Sequence, residues 1–222
     1  MSAFGTARQV FKSSQDVKKD VRNVFCVGRN YREHAKELGN EVPSRPIIFG
    51  KSTHAVIPAQ GSVVLPAGKN NIHHELELVL YFDKEYQPGS AVQELVGGLG
   101  VGLDLTDRDV QSELKAKGQP WELAKSFKNS AVISDFYIVR NWEELDRMPF
   151  SLRIDGRVVQ SGQAVDMLFG FQHLTDYVGT YFGLAQGDLL FTGTPEGVGP
   201  LSPGQRVELL LAEEVVASFE VK

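Results

Sequence analysis

The stretch His73-His-Glu-Leu-Glu-Leu-Val-Leu-Tyr-Phe82 decides the fold, because it predicts a buried β-strand that carries two neighbouring carboxylates. Side chains alternate between the two faces of a strand. One face therefore carries His74 and four large apolar residues, Leu76, Leu78, Leu80 and Phe82. Glu75 and Glu77 share the opposite face with Val79 and Tyr81.

Two carboxylates on an apolar strand need an explanation, since an unpaired buried carboxylate is costly and adjacent carboxylates repel each other. This face is the solvated side of the sheet, or two basic side chains neutralise Glu75 and Glu77, or a cation lies between them. The strand alone leaves these three interpretations open.

The composition is that of a globular protein with a substantial core. Of 222 residues, 42% are hydrophobic and 23% are charged, as is typical of soluble domains. The net charge of -5 argues against nucleic acid or an anionic membrane as a partner. The single cysteine, Cys26, allows no internal disulfide. The first residues lack a signal peptide's apolar core, and we expect a cytoplasmic protein.

The second informative stretch is Gly97-Gly-Leu-Gly-Val-Gly-Leu-Asp-Leu-Thr106. As a strand, it places three alternate glycines on one face, which ends in Asp104. Glycines in a strand often mark the close approach of another backbone or a ligand. They lie before the predicted helix start, and this excludes the dinucleotide-binding motif, in which the glycines open the helix. We expect Thr106 to cap the next helix, with Asp109 completing a capping box.

Several further residues are candidates for a site. His34 and Glu37 lie three apart on a helix predicted from Arg29 to Leu38. A carboxylate beside an imidazole raises its basicity, as a water-activating base requires, although a surface pair is the alternative. Lys51, at a strand end, and Lys125, in an apolar helical segment, are surface lysines or anion contacts.

Two more segments complete this set. Arg108 and Gln111, three apart on the helix after Asp104, could face the same space. The loop Thr192-Gly-Thr-Pro-Glu-Gly-Val-Gly199 could present backbone N–H groups to an anion, or be an ordinary turn.

The order of elements predicts an α+β fold, a rolled or sandwich-like sheet with peripheral helices. Hairpins are expected around Asp155-Gly156 and from Gln205 to Val221. A helix between Asp166 and Leu184 should bury one stripe, formed by Leu174, Tyr177, Val178 and Tyr181. We expect a short N-terminal extension at 1–20 and a single catalytic domain at 21–222.

Three carboxylates, Glu75, Glu77 and Asp104, thus come from two predicted strands. Ligation by oxygen alone suits a hard cation such as Mg²⁺, Mn²⁺ or Ca²⁺.

The chain resembles small bacterial members of the fumarylacetoacetate hydrolase superfamily, close to the branch that hydrolyses acylpyruvates or processes oxaloacetate. The motifs that carry the resemblance are Gly28-Arg-Asn-Tyr-Arg-Glu-His34, His73-His-Glu-Leu-Glu-Leu78, Leu103-Asp-Leu-Thr-Asp-Arg-Asp-Val-Gln111, Gly118-Gln-Pro-Trp-Glu-Leu-Ala-Lys-Ser-Phe127 and Thr192-Gly-Thr-Pro-Glu-Gly-Val-Gly-Pro200. They follow the family's order. The extra N-terminal domain and fourth acidic ligand of large eukaryotic members are not found in the sequence, so water would complete a coordination shell.

The resemblance implies a mixed β-sandwich roll with peripheral helices, a homodimer, and Mg²⁺ or Mn²⁺ as cofactor, with Ca²⁺ as a substitute in crystals. It implies Glu75, Glu77 and Asp104 as metal ligands. It implies His34 and Glu37 as a catalytic dyad on a mobile lid, with Lys125 as a catalytic substrate contact. It implies substrate binding by Arg29, Lys51, Arg108, Gln111, Thr192, Gly193 and Thr194.

The resemblance also implies a small anionic 2-oxo acid as substrate, processed through a metal-stabilised pyruvate enolate. The dyad favours C–C hydrolysis of acylpyruvates, fumarylpyruvate-like 2,4-dioxo acids. Decarboxylation or keto-enol tautomerisation of oxaloacetate at the same site is the alternative, because all three reactions share one enolate. A non-catalytic metal-binding homologue is a remote alternative, since neither a ligand nor the dyad is missing.

Overall fold

Strands outnumber helices in the structure, a computed structural model that describes residues 3–5, 8–37, 39 and 41–222. The strands are β1 (Val10–Lys12), β2 (Val24–Gly28), β3 (Ile47–Lys51), β4 (Val56–Pro58), β5 (Gln60–Val63), β6 (Ile72–His74), β7 (Leu76–Phe82), β8 (Val96–Asp104), β9 (Thr106–Asp107), β10 (Ala131–Ile133), β11 (Phe136–Tyr137), β12 (Phe150–Ile154), β13 (Arg157–Gly162), β14 (Leu189–Phe191), β15 (Gly199–Pro200), β16 (Arg206–Leu211) and β17 (Glu214–Val221). The helices are α1 (Ser14–Asp20), α2 (Arg32–Glu37), α3 (Val92–Leu95), α4 (Arg108–Ala116), α5 (Glu122–Lys125), α6 (Trp142–Asp146) and α7 (Phe171–Tyr181). None of these helices of the described chain is long and apolar enough to cross a membrane. The predicted α+β class is confirmed.

The described strands form three sheets, and the largest carries the candidate site. It has nine strands, in the order β1-β11-β8-β7-β14-β2-β3, with β10 joined to β8 and β4 joined to β10. The other sheets have the orders β13-β12-β16-β17-β5 and β15-β6-β9. Most neighbours are antiparallel, but β10 with β4, β14 with β2 and β17 with β5 are parallel.

The N-terminal segment contributes to the main sheet. Strand β1 pairs with β11 at its edge, and α1 packs against β4. The division into an extension at 1–20 and a catalytic domain at 21–222 stays a prediction.

Strand β7 is buried along its whole length, with an apolar core on each face. The larger core contains Leu76, Leu78, Leu80 and Phe82, together with Leu152 and Leu209 of the five-stranded sheet. Val79 and Tyr81 face a second core, to which Val17 of α1 belongs. The predicted alternation is confirmed, but a solvated face is wrong, because both faces of the strand are covered.

The glycines of β8 allow neighbouring backbone to approach the strand, as predicted. A methyl group on Gly102 would lie 2.6 Å from the carbonyl oxygen of Val132, and one on Gly100 would lie 3.0 Å from that of Asp135. Side chains would separate these segments. Asp104 ends β8, as the sequence predicts.

The helix predicted from Arg29 to Leu38 is shorter in the structure, where α2 begins later, and Leu38 lies outside the described residues. Arg29 has a left-handed backbone conformation, with φ of 58°. Tyr31 forms an isolated β-bridge with Met167. These two constraints keep the residues before α2 out of a helical conformation.

Two other helix predictions are wrong in detail. Thr106 does not cap α4, because it pairs with His73 in β9. The Asp107 carboxylate accepts the Val110 N–H at 3.1 Å instead. Tyr181, predicted on the buried stripe of α7, is 70% exposed, because it occupies the last turn of that helix.

Candidate active site

Three buried carboxylates converge at neighbouring ends of β7 and β8. Glu75 immediately precedes β7, Glu77 lies within it, and Asp104 ends β8. The antiparallel register places Glu77 opposite Gly102, and the Asp104 N–H donates to the carbonyl oxygen of Glu75 at 2.9 Å. One ligand atom from each carboxylate lies within 4.8 Å of the others. Strand pairing therefore brings the three acids together.

Glu75 and Asp104 each lie against two cations. Glu75 Oε1 is 2.5 Å from Nη2 of Arg108, and its Oε2 is 2.7 Å from Nζ of Lys125. Asp104 Oδ2 is 2.6 Å from the same Lys125 Nζ, and its Oδ1 is 2.7 Å from Nζ of Lys51. The interpretation that basic side chains neutralise the carboxylates is therefore correct for Glu75.

Glu77 differs, because no cation among the described residues forms an ion pair with it. Its Oε2 accepts the backbone N–H of Gly193 at 2.7 Å. Burial raises the pKa of the Glu77 carboxyl well above its ordinary value, and the charges of Asp104 and Glu75 raise it further. Burial acts in the same direction on Glu75, but the paired cations outweigh it and hold the pKa of that carboxyl below its usual range.

The donor set fits a hard divalent cation. All three side chains offer oxygen atoms, which Mg²⁺ and Mn²⁺ prefer as ligands. The third carboxylate, Glu77, forms no ion pair with any cation of the described residues, and an added cation would compensate its buried charge. Glu75, Glu77 and Asp104 are therefore the residues that would hold a metal ion.

A narrow cavity adjoins the carboxylates and collects most of the predicted site residues. Those that line it are Arg29, His34, Glu75, Glu77, Arg108, Gln111, Lys125 and Thr194. Sequence reasoning missed five other lining residues, Val27, Gly28, Phe49, Lys115 and Trp121. Lys115 had a signal, since it follows Gln111 by four residues and so shares a face of α4 with it.

Some predicted site residues do not line this cavity, namely Glu37, Lys51, Asp104, Thr192 and Gly193. Lys51 is buried, with Nζ 3.1 Å from Ser130 Oγ, and is not a surface lysine. The Thr192 hydroxyl donates to the carbonyl oxygen of Leu78 at 2.9 Å. The loop was interpreted either as an anion site or as an ordinary turn, and the Gly193 N–H donates to the buried carboxylate of Glu77.

His34 and Glu37 form the predicted pair on α2. His34 Nδ1 lies 3.2 Å from Glu37 Oε2, and Glu37 Oε1 accepts the Gly197 N–H at 3.1 Å. His34 is only 4% exposed and lines the cavity. The imidazole is therefore not part of the exposed surface, and its carboxylate partner ties α2 to the loop after β14.

Two buried amides that sequence reasoning missed hold these segments together. Asn30 Nδ2 donates to the carbonyl oxygen of Thr192 at 2.8 Å, just before α2. Gln160 Nε2 donates to Thr194 Oγ1 at 2.9 Å, and its Oε1 accepts the Leu76 N–H at 3.0 Å. No local pattern marks either amide, because their partners are distant in the sequence.

An enzyme is the class that this fold and site define, since an imidazole, carboxylates and cations meet in one cavity. The chain belongs to the family described as fumarylacetoacetate (FAA) hydrolase C-terminal, whose model matches residues 23–220. The predicted superfamily is therefore confirmed.

Relatives of the chain act on oxaloacetate or fumarylpyruvate, according to their names. It is 37% identical over 203 residues to the human mitochondrial oxaloacetate tautomerase FAHD1, covering 90% of this chain and 92% of the relative. It is 38% identical over 190 residues to the mitochondrial oxaloacetate decarboxylase of Dictyostelium discoideum, covering 84% and 87%. A similar solved structure is fumarylpyruvate hydrolase from Pseudomonas aeruginosa in complex with Mn²⁺ and pyruvate, with a TM-score of 0.82, 35% identity and coverage of 90% of this chain and 89% of that one. The fold that the resemblance implied is confirmed.

Proposed function

We propose that this protein is a divalent-metal-dependent enzyme that interconverts the keto and enol forms of oxaloacetate. The observation that carries the proposal is the buried His34, paired with Glu37, in the same cavity as the acidic cluster. Such a cavity can move a proton and stabilise negative charge. The similarity to an oxaloacetate tautomerase and an oxaloacetate decarboxylase supports oxaloacetate as the substrate.

A divalent cation held by the three carboxylates supplies Lewis acidity that favours the enolate form of a 2-oxo acid. Lys125 and Arg108 bring positive charge to the same cavity. Burial lowers the pKa of the Lys125 ammonium, but the charges of Asp104 and Glu75 outweigh this effect and raise the pKa above its ordinary value. The Arg108 guanidinium is oriented by Gln111, whose Oε1 accepts from Nη1 at 2.8 Å.

His34 is the group that moves the proton. With Nδ1 protonated towards Glu37, its Nε2 can take a proton from C3 of the substrate. Return of that proton to C3 restores the keto form, and its delivery to the 2-oxo oxygen gives the enol. No bond between carbon atoms breaks, and no further reactant is consumed. Glu37 stabilises the imidazolium that forms between the two transfers.

Decarboxylation of oxaloacetate would use the same stabilised enolate. It requires no base, because the electron pair comes from the bond to the departing CO₂. The buried His34 therefore favours proton transfer over loss of CO₂.

Hydrolysis of an acylpyruvate is the second candidate, and the same imidazole favours it. His34 Nε2 could activate a water molecule for attack on a distal carbonyl, which would release pyruvate and an acid. The similarity to a fumarylpyruvate hydrolase supports this candidate.

One assay on protein supplied with Mg²⁺ or Mn²⁺ separates these reactions. The absorbance of enol oxaloacetate, CO₂ release, and pyruvate release from fumarylpyruvate and other acylpyruvates are followed separately. We expect the enol signal to relax far faster than without enzyme, with no matching CO₂, and chelation to abolish the acceleration. Enol relaxation at the uncatalysed rate would contradict the proposal, and pyruvate release from acylpyruvates would then favour hydrolysis.

A further inference from the structure

Two of the four cationic side chains that line the cavity form no ion pair with an acidic side chain of the described residues. Arg108 and Lys125 are ion-paired with Glu75. Arg29 and Lys115 form no ion pair with any of the described residues, although both line the same cavity. Positive charge without a counter-ion in a pocket favours the binding of an anion.

An aromatic wall, formed by Phe49 and Trp121, contacts one cation of each kind. The rings of Phe49 and Trp121 lie 5.9 Å apart, nearly edge to face. Lys125 Nζ lies 4.9 Å from the Phe49 ring, at the carboxylate end, and Lys115 Nζ lies 5.4 Å from the Trp121 ring. The second ammonium is therefore held by a cation–π contact instead of by a carboxylate.

Arg29 is held in place by its backbone. Its φ of 58° is a conformation that residues other than glycine adopt at a cost, and such residues cluster at functional sites. The next residue, Asn30, anchors the turn by its bond to the Thr192 carbonyl oxygen. Burial of part of the side chain lowers the pKa of the Lys115 ammonium, and the charges of Arg29 and Arg108 lower it further, as expected for cations that face one space.

We propose that Arg29 and Lys115 form a second anion subsite, which binds the distal carboxylate of a dicarboxylic 2-oxo acid. The ion-paired cations Arg108 and Lys125 and the three carboxylates then receive the 2-oxo acid end, and the carbon chain lies along the wall formed by Phe49 and Trp121. The substrate class is therefore a dicarboxylate, selected over a monocarboxylate with the same 2-oxo acid end. This assignment rests on the proposed function for the 2-oxo acid end, but it does not depend on which reaction follows.

Calorimetric binding of malate and lactate in the presence of Mn²⁺ tests the subsite without turnover. The two 2-hydroxy acids share one end, and malate alone carries a second carboxylate. We expect the wild type to bind malate more tightly than lactate, and Lys115→Gln to reduce this preference roughly tenfold, as for loss of a charge-assisted contact. Arg29→Asn removes the other charge with a residue that tolerates the left-handed conformation, and it should act in the same direction.

Matched variants identify the charge as the cause. Lys115→Arg should restore most of the malate preference. Lys117 lies two residues from Lys115, at the C-terminal end of α4, but it pairs with Glu113 and does not line the cavity. Lys117→Gln should therefore leave the malate preference unchanged. In turnover of oxaloacetate, Lys115→Gln should raise KM and leave kcat nearly constant, because the contact holds the substrate and not the reacting atoms.

Equal affinities for malate and lactate in the wild type, or no binding of malate, would overturn the subsite. An undiminished malate preference in both Lys115→Gln and Arg29→Asn would overturn it as well. If the malate preference behaves as expected while oxaloacetate tautomerisation is not accelerated, the proposed reaction fails and the subsite stands.

Discussion

The carboxylate end of the cavity is built from paired strands, whereas the imidazole end is built from one short helix and the turn before it. Glu77 and Asp104 are fixed by the β7–β8 register and are almost completely shielded from solvent. His34 depends on α2, which the contact of Glu37 with Gly197 ties to the rest of the protein. The carboxylates thus lie on paired strands, and the group that we propose as the proton carrier lies on a short helix.

Neutralising Glu77 should have the largest effect and should be confined to the carboxylate end. Glu77→Gln retains an acceptor for the Gly193 N–H. It breaks no ion pair among the described residues. We expect the fold to persist while metal binding and turnover fall roughly 10³-fold, because several kcal/mol of charge stabilisation are lost. Titration with Mn²⁺ by calorimetry and thermal unfolding with and without Mn²⁺ measure both effects.

Glu75→Gln is the contrasting variant. It leaves Lys125 and Arg108 without part of their counter-charge, so the unfolding temperature should fall even in the absence of metal. Wild-type affinity of Glu77→Gln for Mn²⁺ would show that the three carboxylates are not the metal site.

Removing the imidazole should affect only the imidazole end of the cavity. His34→Ala should lower the rate of enol–keto conversion by roughly 10²- to 10⁴-fold, because a positioned base is lost, while affinity for Mn²⁺ stays the same. Steady-state rates and Mn²⁺ titration check the two halves of this expectation. Glu33→Gln is the matched control, since Glu33 lies exposed on the same helix and pairs with Lys36. A wild-type rate in His34→Ala would reduce the pair to a structural contact.

The close packing of the strands predicts a sizeable effect on stability. Gly102→Ala would place a methyl group 2.6 Å from the Val132 carbonyl oxygen. We expect the free energy of unfolding to fall by roughly 1–3 kcal/mol, the usual cost of overpacking. Denaturant titration measures this loss, with Gly170→Ala as a control, since nothing lies within 4 Å of a methyl group there and φ is −71°. Equal stability of the two variants would argue against a rigid carboxylate end.

The smallest effect is expected from the partner of the imidazole. Glu37→Gln leaves one acceptor oxygen where two serve His34 and Gly197. We expect a rate loss of about tenfold, because Glu37 orients and stabilises the base without taking the substrate's proton. Combining Glu37→Gln with His34→Ala should cost little more than His34→Ala alone, since Glu37 acts through the imidazole. Additive losses of rate would show that Glu37 and His34 act independently.

Local sequence patterns predicted those features of the carboxylate end and the imidazole end that depend on neighbouring residues in the sequence. Period-two alternation placed Glu77 on a buried strand, and i,i+3 spacing paired His34 with Glu37. The start of α2 was missed because Arg29 adopts a left-handed conformation and the next residues, Asn30 and Tyr31, contact distant segments. The cap at Asp107 was missed because Thr106 is drawn into β9 by pairing with His73.

The sequence by itself determined which residue types are present and which faces they occupy, because burial imposes a period on each strand and helix. Only the tertiary structure decided which charges meet. Lys51 comes from β3 and Lys125 from α5, yet both reach Asp104 at the end of β8. The same packing leaves Glu77 without an ion-paired cation among the described residues. Such pairings follow from the register and stacking of segments far apart in the chain, on which the local period of the sequence carries no information.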